Sequence, residues 1–322
     1  MDYDKRNRKI NNSFNPRLGK IFPQGKWFID QAERNPVALF LSLTMIILVG
    51  LNVFPFIWSF AVSFCSWNLT NRLVDLKFVG IQNYISIFFR DSFFWSSVKV
   101  TFIFLVTTIT VQLILGLMIA LLIYGEQGKL GIVKTIIILP IMITSVVVGL
   151  IWRFMFNPEL GMINYLLSLI GITGPIWLGH IQTSLLSVMI ADIWQWTPFM
   201  ALVLLAGLEA IPKEPLEAAY VDGASQIQSF FYVILPMLKP AMVVVLLIRT
   251  IDAFKTCDLV FVMTMGGPGT STQVLSLYAY KWGFKFFEMG YAAAVAYIML
   301  FAVDSVALIV LWKTNLRSYL NV

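Results

Sequence analysis

Of the 322 residues, 59% are hydrophobic and only 12% charged, whereas soluble domains carry about a quarter of their residues charged. That balance excludes a soluble globular domain and implies an all-α polytopic membrane protein. The formal net charge of +6 needs no nucleic-acid partner, because anionic lipid headgroups at an inner membrane face account for it.

Residues 1–36 are polar, basic and poor in branched apolar side chains, and read as an N-terminal extension with a candidate surface helix near Trp27 to Arg34. Apolar runs of at least about 18 residues follow. They predict six spans, near Val37 to Phe64, Ser97 to Tyr124, Ile132 to Phe156, Thr183 to Leu208, Pro240 to Met265 and Phe287 to Trp312. The run at Val37 is too long and too far from the start to be a cleaved signal. A transmembrane domain over 37–312 and a tail at 313–322 complete the organisation, and six spans place both termini on one side.

Lys and Arg set the orientation. Lys5, Arg6, Arg8, Lys9, Arg17, Lys20, Lys26, Arg34, Lys129, Lys134, Lys213, Lys239, Lys313 and Arg317 all fall on the side of the N terminus, 14 of the 23 basic residues. Arg72, Lys77, Arg90, Lys281 and Lys285 fall opposite, and Lys99, Arg153, Arg249 and Lys255 lie in or beside spans. The N-terminal side is therefore cytoplasmic.

Three external segments have folded character. An amphipathic run follows Gly80 within Trp67 to Trp95. Asn164 to Ile170 has a short helical pattern, and Met265 to Thr270 (MGGPGT) reads as a tight turn at a helix terminus. Cys65 and Cys257 have no thiol partner close in sequence and no metal-ligand spacing. His180, the only histidine, reads as a loop residue. No GxxxxGK[ST] phosphate loop occurs, so ATP hydrolysis by this chain itself is not expected.

The cytoplasmic crossing at 209–239 is unusually structured. Pro215 suits a helix first turn and Gly223 a helix stop. Ser225 with Gln228 matches a capping box that restarts a second helix. Ile227, Phe230, Phe231 and Ile234 then fall at i, i+3, i+4 and i+7, an apolar stripe that must pack on something, either lipid or a docked partner. Pro236 and Pro240 are expected to break the chain before the next span.

Ionisable residues within spans mark candidate transport paths. In the fifth span Arg249, Asp252, Lys255 and Asp258 recur every three residues with alternating sign, a row able to neutralise itself on one helix face. Asp192, beside Trp194, Gln195 and Trp196, and Asp304 are further candidates. The alternative is that such charges hold helices together or snorkel to headgroups.

Glu217, Ala218 and Ala219, followed by Gly223, Val233, Leu235 and Pro236 at fixed spacing, resemble the EAA signature of permease subunits of binding-protein-dependent ABC importers; Val233 stands where that pattern usually has Ile. WQWTPF (194–199), AGLEAIPKE (206–214), DGAS (222–225), FVMTMGGPG (261–269) and FVGIQNY (78–84) are similar to the carbohydrate-importing branch, to the first permease of maltose and glycerol-phosphate type systems. The similarity covers nearly everything after Val37 and leaves out the N-terminal extension.

The resemblance implies a type I importer permease of the bacterial inner membrane, with a cytoplasmic coupling-helix loop. It implies a second permease, two cytoplasmic ATPase subunits that hold ATP and Mg, and an extracytoplasmic solute-binding protein that delivers a carbohydrate. This chain would then carry no cofactor, no metal and no catalytic residue. Carried onto it, Glu217, Ala218, Ala219, Asp222, Gly223, Phe230, Phe231, Leu235 and Pro236 would couple to the ATPase, and Asp192, Gln195, Trp196, Arg249, Asp252, Lys255, Asp258 and Tyr297 would line the substrate pathway. Trp194 and Tyr291 join Trp196 and Tyr297 as candidates for stacking on sugar faces.

Read from the residues alone, an ion-coupled secondary transporter also accounts for the intramembrane carboxylates, although no inverted pair of broken helices accompanies them. An intramembrane enzyme lacks a nucleophile and base pair. A purely structural scaffold is the remaining alternative. Which sugar, its size and its charge are not encoded in these motifs.

Overall fold

The computed structural model describes residues 36–70, 76–124 and 131–314. The extension up to residue 35, with its candidate helix near Trp27, and the tail beyond residue 314 lie outside the described residues. The chain divides into two units, one ending at Ala61 and one beginning at Val62. In the first, α1 (Pro36–Leu48) runs through a π turn (Val49–Val53) into α2 (Phe54–Ser63). Thr44–Ser63 is long and apolar enough to cross a bilayer, and exposed Leu51, Phe54 and Ile57 suit a lipid solvent.

The second unit opens with a short antiparallel pair, β1 (Cys65–Ser66) and β2 (Lys77–Phe78). α3 (Gln82–Arg90) is the amphipathic helix expected after Gly80, whose φ of +59° turns the chain into it. Asn83 anchors α3 to the strand pair by donating to the carbonyls of Ser63 and Cys65 at 2.8 and 2.9 Å.

Asp91 then caps α4 (Ser92–Ile123), its carboxylate accepting from the backbone N–H groups of Phe93 and Phe94 at 2.9 and 3.1 Å. That cap starts the second span five residues before the apolar run itself.

The third span is not one helix. α5 (Gly131–Met142) and α6 (Ser145–Met155) meet at a bend of 99°. Pro140 lies inside α5, and the chain leaves helical geometry just beyond it, at Ile143 and Thr144. Hydropathy registers both halves as apolar and is blind to the break.

The short helix α7 (Met162–Leu169) precedes α8 (Ile181–Glu209), the most buried long helix. Gly116 of α4 lets these two approach: a Cβ there would stand 2.6 Å from the Met200 Cβ and 3.0 Å from the Ala201 nitrogen of α8. Around that contact Ala120, Ile123, Leu204, Leu208, Leu238 and Val245 form one apolar cluster. A second joins Phe104, Val148, Val188 and Leu259, and a third joins Ile87, Phe94, Leu275 and Ala294.

The segment after α9 (Glu214–Val221) departs most from the sequence expectation. α10 (Gln226–Ser229), a π turn (Phe230–Ile234) and α11 (Leu235–Phe254) form one unbroken 29-residue apolar helix, Gln226–Phe254. Pro236 and Pro240 therefore do not break the chain. The Leu235 N–H bonds the Phe230 carbonyl across the π turn, so Pro236 falls where the ladder resets and one donor is dispensable. Pro240 is accommodated inside α11, as membrane helices allow when neighbours satisfy the freed groups.

The fifth span also ends early, at Phe254 rather than Met265. After it come α12 (Asp258–Thr264), the glycine-rich turn, α13 (Leu275–Tyr280), a π turn (Lys281–Lys285) and α14 (Met289–Thr314).

Candidate functional site

Asp192, Gln195 and Trp196 occupy i, i+3 and i+4 of α8 and so share one face. Against that face the long helices deliver Gln112 from α4 and Arg249 from α11. Arg249 Nη2 pairs with Asp192 Oδ2, and its Nε donates to Gln112 Oε1 at 2.9 Å. Gln112 Nε2 in turn donates to the Asp192 carboxylate at 2.8 Å and to its backbone carbonyl at 3.1 Å. The guanidinium also lies over the Trp196 ring, 4.9 Å from its centre.

All three members of the triad are buried. An ion pair removed from water keeps its charges only when hydrogen bonds complete it, and Gln112 completes this one from both sides.

Three buried polar atoms at this place have no partner among the described residues: Asp192 Oδ1, Arg249 Nη1 and Gln195 Oε1. Such orphans are uncommon and mark capacity for water or a ligand. A cavity of about 220 Å³ adjoins them, lined by Ser145, Asp192, Gln195, Trp196, Asp252, Lys255 and Asp258. Gln195 also holds the bend of the third span, donating to the Ile143 carbonyl at 2.9 Å. The break therefore serves the cavity, because it frees the carbonyl that fixes Gln195 and places Ser145 in the wall.

The self-neutralising row along the fifth span does not form. Arg249 pairs across to Asp192 of α8 and to Gln112 of α4 instead of with Asp252, and α11 ends before Lys255 and Asp258 can continue the row. Lys255 is the C-cap of α11, and Asp258 begins α12. Asp252, Lys255 and Asp258 still meet at the cavity, on a helix end, a cap and a helix start rather than on one face.

Six of the eight pathway candidates line this space, and Arg249 stands behind it. Tyr297, buried in α14, is not among its lining residues. Asp304 is exposed on α14. Trp194 packs edge-to-face on Trp152, and Tyr291 belongs to an outer cluster with Asp91. Gln112 and Ser145 are absent from the sequence reading. A lone amide in an otherwise apolar span was the available signal for Gln112.

At one end of the bundle α9 and α10 form a helical hairpin. The Gly223 N–H bonds the Tyr220 carbonyl at 3.1 Å and the Ala224 N–H that of Ala219 at 3.0 Å, with Gly223 at φ +76°: a Schellman stop. The capping box is present in both directions, Ser225 N–H to Gln228 Oε1 at 2.8 Å and Gln228 N–H to Ser225 Oγ at 3.3 Å. Glu217, Ala218, Asp222, Gly223 and Pro236 are exposed, whereas Ala219 and Leu235 are half-buried.

The apolar stripe is split. Phe230 and Ile234 turn inward, while Ile227 and Phe231 stay exposed. The π turn takes more residues per turn than an α-helix, so a 3.6-residue period does not describe the stripe's face. Tyr220, Val221 and Tyr232, more than 80% or close to 80% exposed, extend the outward apolar surface.

Long apolar helices around a buried polar cavity, with an exposed apolar hairpin outside them, define a multi-pass membrane permease. The sequence profile of binding-protein-dependent transport system inner membrane components matches residues 112–312, and the chain belongs to that family.

Among its relatives, the trehalose/maltose transport system permease protein MalF of Thermococcus litoralis is 35% identical over 74% of this chain and 80% of its own. The sulfoquinovosyl glycerol transport system permease protein SmoG of Agrobacterium fabrum is 35% identical over 87% and 90%. A crystal structure of a bacterial ABC transporter involved in import of the acidic polysaccharide alginate has a chain of the same fold. Its TM-score is 0.74 at 22% identity, covering 89% of this chain and 98% of that one.

Proposed function

We propose that the chain is one of two permeases of an ATP-driven importer of sugars or oligosaccharides, receiving its cargo from an extracytoplasmic binding protein. One observation carries the reading: the exposed hairpin and the cavity share a single continuous helix. Gln226–Phe254 bears Ile227 and Phe231 at its cytoplasmic end and Arg249 beside the cavity, a reach of about 35 Å at 1.5 Å per residue.

A partner ATPase that binds Mg and ATP would seat the hairpin. Glu217 would supply a charge-assisted contact, and Tyr220, Ile227 and Phe231 the apolar anchors. Closure of the ATPase pair would move this helix as a lever and change which side of the membrane the cavity faces. Within the cavity, Asp192, Gln195, Asp252, Lys255 and Asp258 offer donors and acceptors to sugar hydroxyls, and Trp196 an aromatic face.

The relatives' trehalose, maltose and sulfoquinovosyl glycerol systems support carbohydrate as the cargo. The second permease is supported by Asp304, a charge exposed on an apolar helix, which a protein partner would spare from lipid. The positive-inside balance supports cytoplasmic termini.

The test is reconstitution of the complex in proteoliposomes. Glu217→Lys and Gly223→Pro are expected to abolish sugar-stimulated ATP hydrolysis and weaken ATPase association. Uptake that persists without ATP, or variants that assemble and hydrolyse as the parent does, would overturn the reading.

A further inference from the structure

A second cavity, about 490 Å³, lies between α4, α11 and α14 and shares no lining residue with the polar space around Asp192. Thirteen of its sixteen lining residues are apolar and the other three are threonines. Two of those hydroxyls are engaged within the protein. Thr101 Oγ1 donates to the Ser97 carbonyl at 2.7 Å and accepts from the Leu275 N–H at 2.8 Å, and Thr250 Oγ1 donates to the Leu246 carbonyl at 2.7 Å. Water would find few partners here, so the lining suits a hydrocarbon occupant.

The shape of the cavity narrows the choice. Its α4 wall runs from Trp95 to Thr110, about 22 Å at 1.5 Å per residue. Spread over that length, the volume is a furrow on the order of 5 Å across, whereas a helix with its side chains needs about 10–12 Å. One extended hydrocarbon chain fits; a helix from a partner does not. Phe102, Val106 and Val306, all exposed, form rims through which the furrow opens sideways out of the bundle.

The depth matches one leaflet of a bilayer. Lys99 is the last charged residue of α4, since residues 100–123 carry none. It is exposed on the lining side of the helix, one turn beyond Trp95 and three residues ahead of Phe102. From Lys99 to Thr110 is about 16 Å, against about 15 Å for half of the hydrocarbon core. Exposed Trp95 is the residue type that anchors at headgroup level. Lys99 has no ion-pair partner among the described residues. Asp91, the nearest carboxylate in sequence, is held by the α4 cap and by Tyr278 and Tyr291.

We propose that this furrow binds one membrane phospholipid, its acyl chain laid along α4 between α11 and α14 and its phosphate at the Lys99 ammonium. The inference goes beyond the importer reading. Selection rests on the joint presence of a chain that fits the furrow and a phosphate at the depth of Lys99.

The test adds phosphatidylglycerol carrying a diazirine midway along one acyl chain to the purified chain in dodecyl maltoside micelles. After illumination, the label is located by mass spectrometry of peptides. Labelling of residues 98–110 and 298–306 is expected to saturate at one lipid per chain. Labelling of Leu150, Ile151 and Phe154, exposed on α6, is expected to rise in proportion to added lipid. Ala302→Phe, which fills the furrow, is expected to lower the first and leave the second. Diacylglycerol with the same label but no phosphate is expected to label the furrow about fivefold less, the effect of one lysine at a membrane surface, and Lys99→Gln to remove that difference. Unchanged thermal unfolding of the variants shows that packing is kept.

Labelling proportional to lipid everywhere, or indifferent to Ala302→Phe, overturns the proposal in favour of ordinary boundary lipid. Equal labelling by phospholipid and diacylglycerol, or a preference that survives Lys99→Gln, overturns it in favour of a cleft with no headgroup site. Furrow labelling lost on assembly with the partner subunits overturns it in favour of the second permease as occupant. None of these measurements reads transport or ATP hydrolysis, so their failure leaves the importer reading untouched.

Discussion

The carboxylate of Asp192 on α8 and the guanidinium of Arg249 on α11 form an ion pair that is 1% and 0% exposed. It ties the central helix to the helix that begins in the α9–α10 hairpin, at the edge of the polar cavity. Movement of one helix against the other must either carry this pair along or break it.

Removing one partner strands a buried charge. Arg249→Met is expected to cost about 3–5 kcal/mol, whereas Asp192→Leu combined with Arg249→Met costs much less because no charge is left unpaired. Thermal unfolding followed by circular dichroism in detergent measures both. Equal losses in the single and double variants would show that packing, not charge, dominates here.

Gly116 sets the separation of α4 and α8. Its Cβ would meet the Ala201 backbone as well as Met200, so neither a rotamer change nor a small side-chain shift relieves the clash. Gly116→Ala is expected to destabilise by about 1–3 kcal/mol. A lowered melting temperature with helix content unchanged is the expected signature.

In the hairpin, Ser225→Ala removes one half of the capping box and is expected to cost about 1 kcal/mol. Gly223→Ala meets no neighbouring atom within 4 Å, so its cost is the left-handed backbone alone, about 1–2 kcal/mol, and Gly223→Asn recovers part of it. Hydrogen exchange at the Gln228 and Ala224 amides reads these effects locally. Protection unaltered in both variants would mean that the hairpin is held by its partner rather than by its caps.

Asp91 makes the outer cluster acid-sensitive. Burial favours its neutral form, but hydrogen bonds from Tyr278, Tyr291 and the backbone N–H groups of Phe94 and Phe93 outweigh that and hold the carboxyl below the usual aspartate range. A depressed pKa contributes stability that is full above the unfolded value, about 3.9, and is lost as pH falls through the folded value. The Tyr278 hydroxyl is pushed up, first by burial and then by Asp91, so it stays a donor throughout. Melting temperature below pH 4 is expected to fall more steeply in the parent than in Asp91→Asn; parallel slopes would refute the assignment.

Elements governed by neighbours in sequence were legible before the structure. The stop at Gly223 and the restart at Ser225 need only local hydrogen bonds. The helix after Gly80 needs only its own periodicity. The spans of α4, α8 and α14 needed only enough apolar length, although the Asp91 cap moved the start of α4.

The failures share a cause. Hydropathy averages over a window, so it could not see that the third span bends at Ile143 and Thr144, that the continuous helix of the fifth span begins at Gln226, or that it ends at Phe254. Period reasoning assumes one pitch, and the π turn at Phe230–Ile234 divided the stripe between inside and outside.

The sequence by itself determined that the chain lives in a membrane and which segment leaves it as a structured hairpin, because composition and local capping depend on no distant contact. It also named most residues of the polar cavity, since a charge in an apolar span is conspicuous wherever it points. Only the tertiary structure decided their partners. Gln112, Asp192 and Arg249 lie far apart along the chain, and whether a buried charge is neutralised by its own helix or by another depends on where helices end and how they pack.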